Sequence, residues 1–332
     1  MDKTSSAVWS ALRYGAGYLR LADIGVLVIR GADRKEFLHG LLSNDIASLG
    51  VGQGVKVCIL TSKGKIAGDF SVYNRGSDYL VIGCKAGVTA TAAALAKYLS
   101  VALTMIEDAT AQSPVLCVAG PKAGRLLAGL IPGSGAIAHY GRVKVAWRGF
   151  EVEVLSYPEI SREALLVVAR PPVLGQFYDE LAGVAKDQGA SALPEIAVDM
   201  LRIESGIGHF GKDYGVDAFP QEVGLERAVC FTKGCYMGQE YMSRIKHFGD
   251  TKRLLVGLVI GKEMNLPRAV MHEGREVGQA TSIVYSQALD AFLALAVLPK
   301  ELAVGAGKFS LASGEGKIEA RVVKFPIEDT AR

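Results

Sequence analysis

The chain of 332 residues lacks most of the features that settle a protein's class at a glance. It has five cysteines, at 58, 84, 117, 230 and 235, an odd set without the paired short spacings of a zinc or cluster site. A metal centre within one chain is therefore not indicated, and a reducing compartment fits best. His209, His247 and His272 lie far apart without HExxH spacing, which leaves metal or triad chemistry unsupported. No GxxxxGK[ST] loop is present, and the glycines at 31, 40, 50, 52 and 54 form no GxGxxG turn, so nucleotide cofactors are not indicated. Charge of one sign is also missing: 37 basic residues stand against 34 acidic ones, and no block of five like charges marks a polyanion-binding tail. Nucleic acid is accordingly not an expected partner. No apolar run reaches the ~20 residues of a membrane span, since the alanine-rich stretch 88–106 is broken by Lys97. The start, with Asp2, Lys3, Thr4, Ser5 and Ser6, lacks the continuous apolar core of a signal peptide. These absences lead us to expect a soluble, cytoplasmic, mainly monomeric protein.

What is present is core material. Half of the residues are apolar, enough for two or three packed units at the usual ~100–200 residues per domain. From Ile24 an apolar β-like run meets Gly31, and Phe37, Leu38, Leu41 and Leu42 then recur at helical spacing after an Asp33–Glu36 capping pair. Strand patterns follow at 55–61, 66–74 and 78–84, then a helical one at 88–99. The same β-α-β-β-β-α order returns at 114–120, 121–130, 143–147, 150–155, 163–170 and 172–188. Setting Gly31 on Gly120 matches Ile29 with Val118, Phe37 with Leu126, Leu38 with Leu127, Gly40 with Gly129 and Leu41 with Leu130. The pattern implies an internal duplication with a ligand cleft between its halves. A further helix at 195–205 ends at Gly206, placed as a C-cap. After Thr251 the segments LLVGLVI, EVGQATSIVYS, AFLALAVL and KIEARVVKF read as a small all-β barrel. The expected fold class is α+β, with two duplicated mixed α/β subdomains at 1–112 and 113–248 and a C-terminal β-barrel domain at 250–332. Cys58, Cys84 and Cys117 sit in the apolar runs and are read as small core residues.

The segment 202–249 is the hardest to explain as packing. Charged and aromatic side chains interleave there with glycines at 206, 208, 211, 215, 224, 234, 238 and 249, the composition of a loop wrapped closely around a ligand. A structureless connector of that length is uncommon unless it has a function.

The run KGCYMGQE, Lys233 to Glu240, resembles the signature of the YgfZ family of folate-binding proteins that support iron–sulfur enzymes. RIESG (202–206) and FPQE (219–222) stand at that family's places before it, and Asp250–Thr251–Lys252–Arg253 opens the barrel after it. EFLHGLLSNDI (36–46) and SKGKIAGDFSVY (62–73) resemble stretches of both this family and the glycine-cleavage T-protein, an aminomethyltransferase. The resemblance spans about 24 to 325. It implies three domains around a tetrahydrofolate, or a derivative of it, with Glu204 of the R-x-E-x-G motif recognising the pterin ring. A carboxylate suits that task because it accepts two parallel N–H bonds from a 2-amino-pyrimidinone edge. Asp69 matches an acidic residue that the T-protein places near the folate nitrogens, whereas Gly68 stands where the T-protein commonly has a second aspartate. Cys235 replaces an aspartate of the T-protein loop; its thiol can react, pair transiently with another thiol or touch a partner's cluster. Arg202, Tyr236 and Gln239 complete the expected binding set, and Lys233, Arg227 and Arg244 are candidates for the anionic glutamate tail. Two functions remain open. One is a folate-binding accessory for iron–sulfur assembly or repair, acting on iron–sulfur enzymes or assembly proteins; the other is an aminomethyltransferase. A scaffold without ligand leaves 202–249 unexplained.

Overall fold

The computed structural model describes residues 3–99, 103–249, 251–305, 307–313 and 316–327; Asp2 and Asp250 lie outside the described residues. The chain divides into two compact units. The first comprises Met1–Gly40, Asp45–Val57 and Asp69–Ala197, the second Leu41–Asn44, Cys58–Gly68 and Val198–Arg332. No helix among the described residues is long and apolar enough to cross a membrane.

Helix α1 (Lys3–Tyr14) and strand β1 (Gly17–Arg20) precede the first repeat, which runs β2 (Gly25–Gly31), α2 (Arg34–Leu41), β3 (Gly54–Leu60), β4 (Ile66–Asn74), β5 (Tyr79–Gly83) and α3 (Lys85–Ala96). Strand β6 (Thr104–Asp108) then leads into β7 (Val115–Ala119), α4 (Ala123–Ala128), β8 (Arg142–Trp147), β9 (Phe150–Ser156), β10 (Leu165–Val168) and α5 (Pro171–Asp187). The β-α-β-β-β-α order expected from periodicity is present twice. Its strands form two sheets, one ordered β3-β4-β5-β2-β6 and the other β8-β9-β10-β7-β1 with the two-residue β11 (Ser191–Ala192) at its edge. Corresponding strands occupy corresponding places, but the fifth place is exchanged. β1, which precedes β2, pairs antiparallel with β7, and β6, which precedes β7, pairs antiparallel with β2. Val118 thus faces Tyr18 across the one ladder, and Ile29 faces Ile106 across the other. Neither β1 nor β6 stands out in the sequence, because a strand of four or five residues carries too few alternations to register.

The core of the second sheet gathers Tyr18, Leu116, Val118, Trp147, Val154, Val167 and Phe177 beneath α4 and α5, with the Trp147 and Phe177 rings edge to face at 5.1 Å. The expected capping pair at α2 takes another form. The Asp33 carboxylate accepts from the Leu103 N–H at 2.8 Å and the Thr104 hydroxyl at 2.6 Å, so it fastens the entry to β6, and these bonds lower its pKa. Cys58 and Cys117 are core residues as expected, whereas Cys84 is half-buried and caps α3, its sulfur accepting the Gly87 N–H.

In the second unit, α6 (Ile196–Glu204) leads through single 3-10 turns at Pro220–Glu222 and Glu226–Ala228 to α7 (Gln239–Phe248). The segment 202–249 is therefore not one long loop: KGCYMGQE ends on a helix whose periodicity the surrounding glycines mask. Strands β12 (Arg253–Ile260), β13 (Arg268–His272), β14 (Arg275–Ser286), β15 (Ala291–Pro299), β16 (Phe309–Ser313) and β17 (Gly316–Val323) close the expected barrel in the order β12-β15-β14-β13-β16-β17, with the short helix α8 (Lys300–Val304) between β15 and β16. Leu258, Val270, Ala294, Ala296, Leu298 and Leu311 fill it.

The glycines that match between the repeats are constrained alike. Gly31 has φ +126° and Gly120 φ +103°; an added Cβ would lie 2.1 Å from Leu103 O and 2.7 Å from Gly15 O, respectively. Alanine at either position should cost about 1–3 kcal/mol in a denaturant titration, whereas Gly175→Ala, in the interior of α5 with open space around the added methyl, should gain about 0.5–1 kcal/mol. Equal shifts at all three positions would contradict this reading.

Candidate functional site

In the first unit the chemistry concentrates on one buried cluster. Asp69 on β4 is 5% exposed, and its Oδ2 lies 2.5 Å from the ammonium of Lys56 on β3, itself 8% exposed. Lys56 reaches a second carboxylate, Glu159 Oε2, at 3.0 Å, and the Tyr140 hydroxyl donates to Glu159 Oε1. Tyr73 donates to Ser156 O at 2.7 Å, and Tyr157 is buried nearby; burial pushes the phenols of Tyr73, Tyr140 and Tyr157 up, so they stay neutral donors. The Cys84 thiol is pushed up to about 11 by burial and by the Asp69 charge. One atom of this cluster is left over: Asp69 Oδ1 is buried and accepts no hydrogen bond among the described residues. A buried acceptor in that state costs about 1–3 kcal/mol unless a donor arrives. Sequence reasoning finds Asp69 through a resemblance but misses Lys56, Glu159 and Tyr140. The available signal is a lysine inside the apolar run VKVCIL; Glu159 is 103 positions further along and has no local signature.

In the second unit the R-x-E-x-G motif resolves into three tasks. Arg202, 3% exposed, gives Nε to Asp199 at 2.6 Å, Nη1 to Asp213 at 2.7 Å and Nη2 to Ser282 at 2.8 Å. It is buried and ties α6 to the following loop and to the barrel strand β14. Asp213 also accepts from the His209 N–H at 2.9 Å and from the hydroxyls of Thr281 and Ser282, each at 2.6 Å. Consecutive strand residues normally point to opposite faces; the register shift between Ala280 and Ser282 lets both hydroxyls reach one carboxylate. Glu204, the last residue of α6, is half-buried, and its Oε1 accepts from the Ser286 hydroxyl at 2.6 Å. Gly206 closes the helix with φ +74°, as placed from sequence, and the Phe325 ring packs where a Cβ would sit.

KGCYMGQE is tied to SKGKIAGDF within the same unit. Gly238, N-cap of α7 with φ +78°, approaches Thr61 O so closely that a Cβ would lie 2.5 Å away, and Gly64 fits against Tyr241 and Met242 in the same manner. Lys233 donates to Leu42 O at 2.7 Å and to Asn44 O at 3.0 Å, and it stands 5.0 Å from the Tyr236 ring. This anchors the turn. Gln239 closes the turn on itself, its Oε1 accepting the Tyr236 N–H at 3.3 Å. Tyr236 is buried, its hydroxyl has no partner among the described residues, and burial raises its pKa to about 12. Arg227 and Arg244 are exposed, the latter over the Tyr241 ring at 5.2 Å, and Cys235 is exposed ahead of α7. Glu222 of FPQE is 4% exposed and takes both Nε and Nη2 of Arg253 at 3.2 Å, joining its turn to the first barrel strand.

Two antiparallel α+β repeats with exchanged strands, followed by a closed six-stranded barrel, define the architecture of the glycine-cleavage T-protein. The match is direct: residues 1–233 fit the GCVT N-terminal domain and residues 253–329 the glycine cleavage T-protein C-terminal barrel domain, so the chain belongs to the glycine-cleavage T-protein family. It is similar to the aminomethyltransferases of Rubrobacter xylanophilus (27% identity, 96% of this chain and 84% of the relative) and of a Synechococcus strain (28% identity, 96% and 89%). The crystal structure of glycine cleavage system aminomethyltransferase T from Bartonella henselae shares the fold, with TM-score 0.84 at 18% identity over 98% of this chain and 89% of that one.

Exposure ranks the thiols. Under native conditions a thiol reagent at neutral pH should label Cys235 first, with Cys117, raised to about 12 by burial, silent until the protein is unfolded. Mass spectrometry of the peptides checks this; first labelling at Cys84 or Cys117 would contradict it.

Proposed function

We propose that the chain binds a reduced folate, tetrahydrofolate or a derivative, and serves in the cytoplasm as an accessory of the YgfZ type for assembly or repair in iron–sulfur enzymes. The observation that carries the folate reading is Asp69 Oδ1, a buried acceptor without a donor on a strand of the motif SKGKIAGDF. An N–H of a reduced pterin fits it. Glu204 is oriented through one oxygen by Ser286, and a carboxylate accepts several donors at once, as a 2-amino-pyrimidinone edge requires. When bound, tetrahydrofolate supplies nitrogen atoms that carry one-carbon units. This chain's residues bind and orient: Asp69 accepts at Oδ1, Glu204 accepts at the end of α6, and Lys56 holds the Asp69 charge. The accessory reading draws on Cys235, which KGCYMGQE presents to solvent, and on Gly68, where the T-protein commonly has a second aspartate.

A second reading, aminomethyl transfer to tetrahydrofolate, is favoured by the activity for which the relatives are named, at 27–28% identity. The two part on turnover. With an aminomethyl-lipoyl carrier and tetrahydrofolate, a transferase forms methylenetetrahydrofolate and releases ammonia and the dihydrolipoyl carrier with its thiol restored, whereas an accessory binds folate without doing so.

Anaerobic calorimetry with tetrahydrofolate should show binding that Glu204→Ala weakens by about tenfold or more, about 1.4 kcal/mol. The absence of both heat and competition at millimolar folate would overturn the reading.

A further inference from the structure

We infer that Lys56 is a positioning and specificity-determining residue, which fixes Asp69 as an acceptor-only carboxylate and so selects pterins that offer an N–H over those that offer a bare nitrogen lone pair. The inference rests on the folate reading and deepens it.

Lys56 lies on a strand that is otherwise apolar, yet its ammonium is placed between Asp69 Oδ2 at 2.5 Å and Glu159 Oε2 at 3.0 Å, with side-chain exposures of 9% for Lys56, 6% for Asp69 and 13% for Glu159. Its charge also acts on Tyr73, Tyr140, Tyr157 and Cys84, all kept neutral as burial raises their pKa values. The Lys56 ammonium makes a charge-assisted hydrogen bond to Asp69 Oδ2. With Oδ2 held by Lys56, the oxygen left to a ligand is Oδ1, which is buried and accepts no hydrogen bond among the described residues. Close by is the start of α3: a Cβ on Gly87 would come within 3.7 Å of that oxygen.

An acceptor with no proton to give discriminates sharply between oxidation states of a pterin. The tetrahydro ring carries N–H groups where the fully oxidised ring has bare lone pairs. Against an ionised Oδ1 the former makes a charge-assisted hydrogen bond, and the latter sets lone pair against lone pair in a site shielded from water. A neutral carboxylic acid could donate to the oxidised ring; the Lys56 ammonium is what withholds that option.

The test compares the ratio of dissociation constants for tetrahydrofolate and folic acid, measured anaerobically by calorimetry, in wild type, Lys56→Arg, Lys56→Met and Asp69→Asn, with thermal melts to verify folding. Wild type and Lys56→Arg should favour the reduced ligand by about tenfold or more, and Lys56→Met should lose most of that preference. Asp69→Asn, isosteric and free of one of the two carboxylates, covers the case in which Lys56→Met does not fold. Lys56 should take its amide oxygen, turn the NH2 toward the ligand and invert the preference. A folded Lys56→Met with the wild-type ratio, or an Asp69→Asn that still favours tetrahydrofolate, overturns the inference while folate binding stands. If wild type binds neither ligand, the folate reading fails and the inference falls with it.

Discussion

A carboxylate taken out of water must be given back its hydrogen bonds, and two buried aspartates differ in how completely this is done. Asp213 accepts from the Arg202 guanidinium and the His209 N–H on one oxygen and from the hydroxyls of Thr281 and Ser282 on the other, donors that come from a helix end, a loop and a bulged barrel strand. With both oxygens occupied it can only be structural, and it fastens α6 to β14. Asp69 receives the Lys56 ammonium on one oxygen and, among the described residues, nothing on the other. Satisfaction, more than burial or charge, separates the two aspartates.

The same distinction governs the motif residues. As isolated letters Arg202 and Lys233 are reasonable ligand contacts, because arginine and lysine are the usual partners of anions. In the fold Arg202 meets two carboxylates and Ser282, and Lys233 donates to two backbone carbonyls. Glu204 differs in kind: it is an acceptor at a helix end, steadied by the Ser286 hydroxyl on one oxygen. Gly238 and Gly64 carry no chemistry, but their close contacts bring the turn of KGCYMGQE against that of SKGK and leave Cys235 facing solvent.

Long periodic elements are legible in the sequence: β4 matches the expected 66–74 at both ends, and the α3, α5 and α6 patterns sit within a few residues of the helices found. The exchange of β1 and β6 is not, since which sheet a short strand joins is decided by pairing partners far along the chain. Helix α7 is hidden because it starts at a glycine and carries four charged or histidine side chains among ten residues, a composition that reads as loop. Asp69 and Glu204 are reached through motifs, whereas the other members of the Asp69 cluster come from positions 56, 140 and 159, which only the fold assembles.

Central to the proposed function is Asp69 Oδ1 as the acceptor for a reduced pterin. A crystal structure of the protein grown anaerobically with tetrahydrofolate tests this most directly. The expected result is a pterin N–H within hydrogen-bond distance of Asp69 Oδ1, with Lys56 still on Oδ2. Tetrahydrofolate bound elsewhere with Oδ1 left unfilled would contradict it.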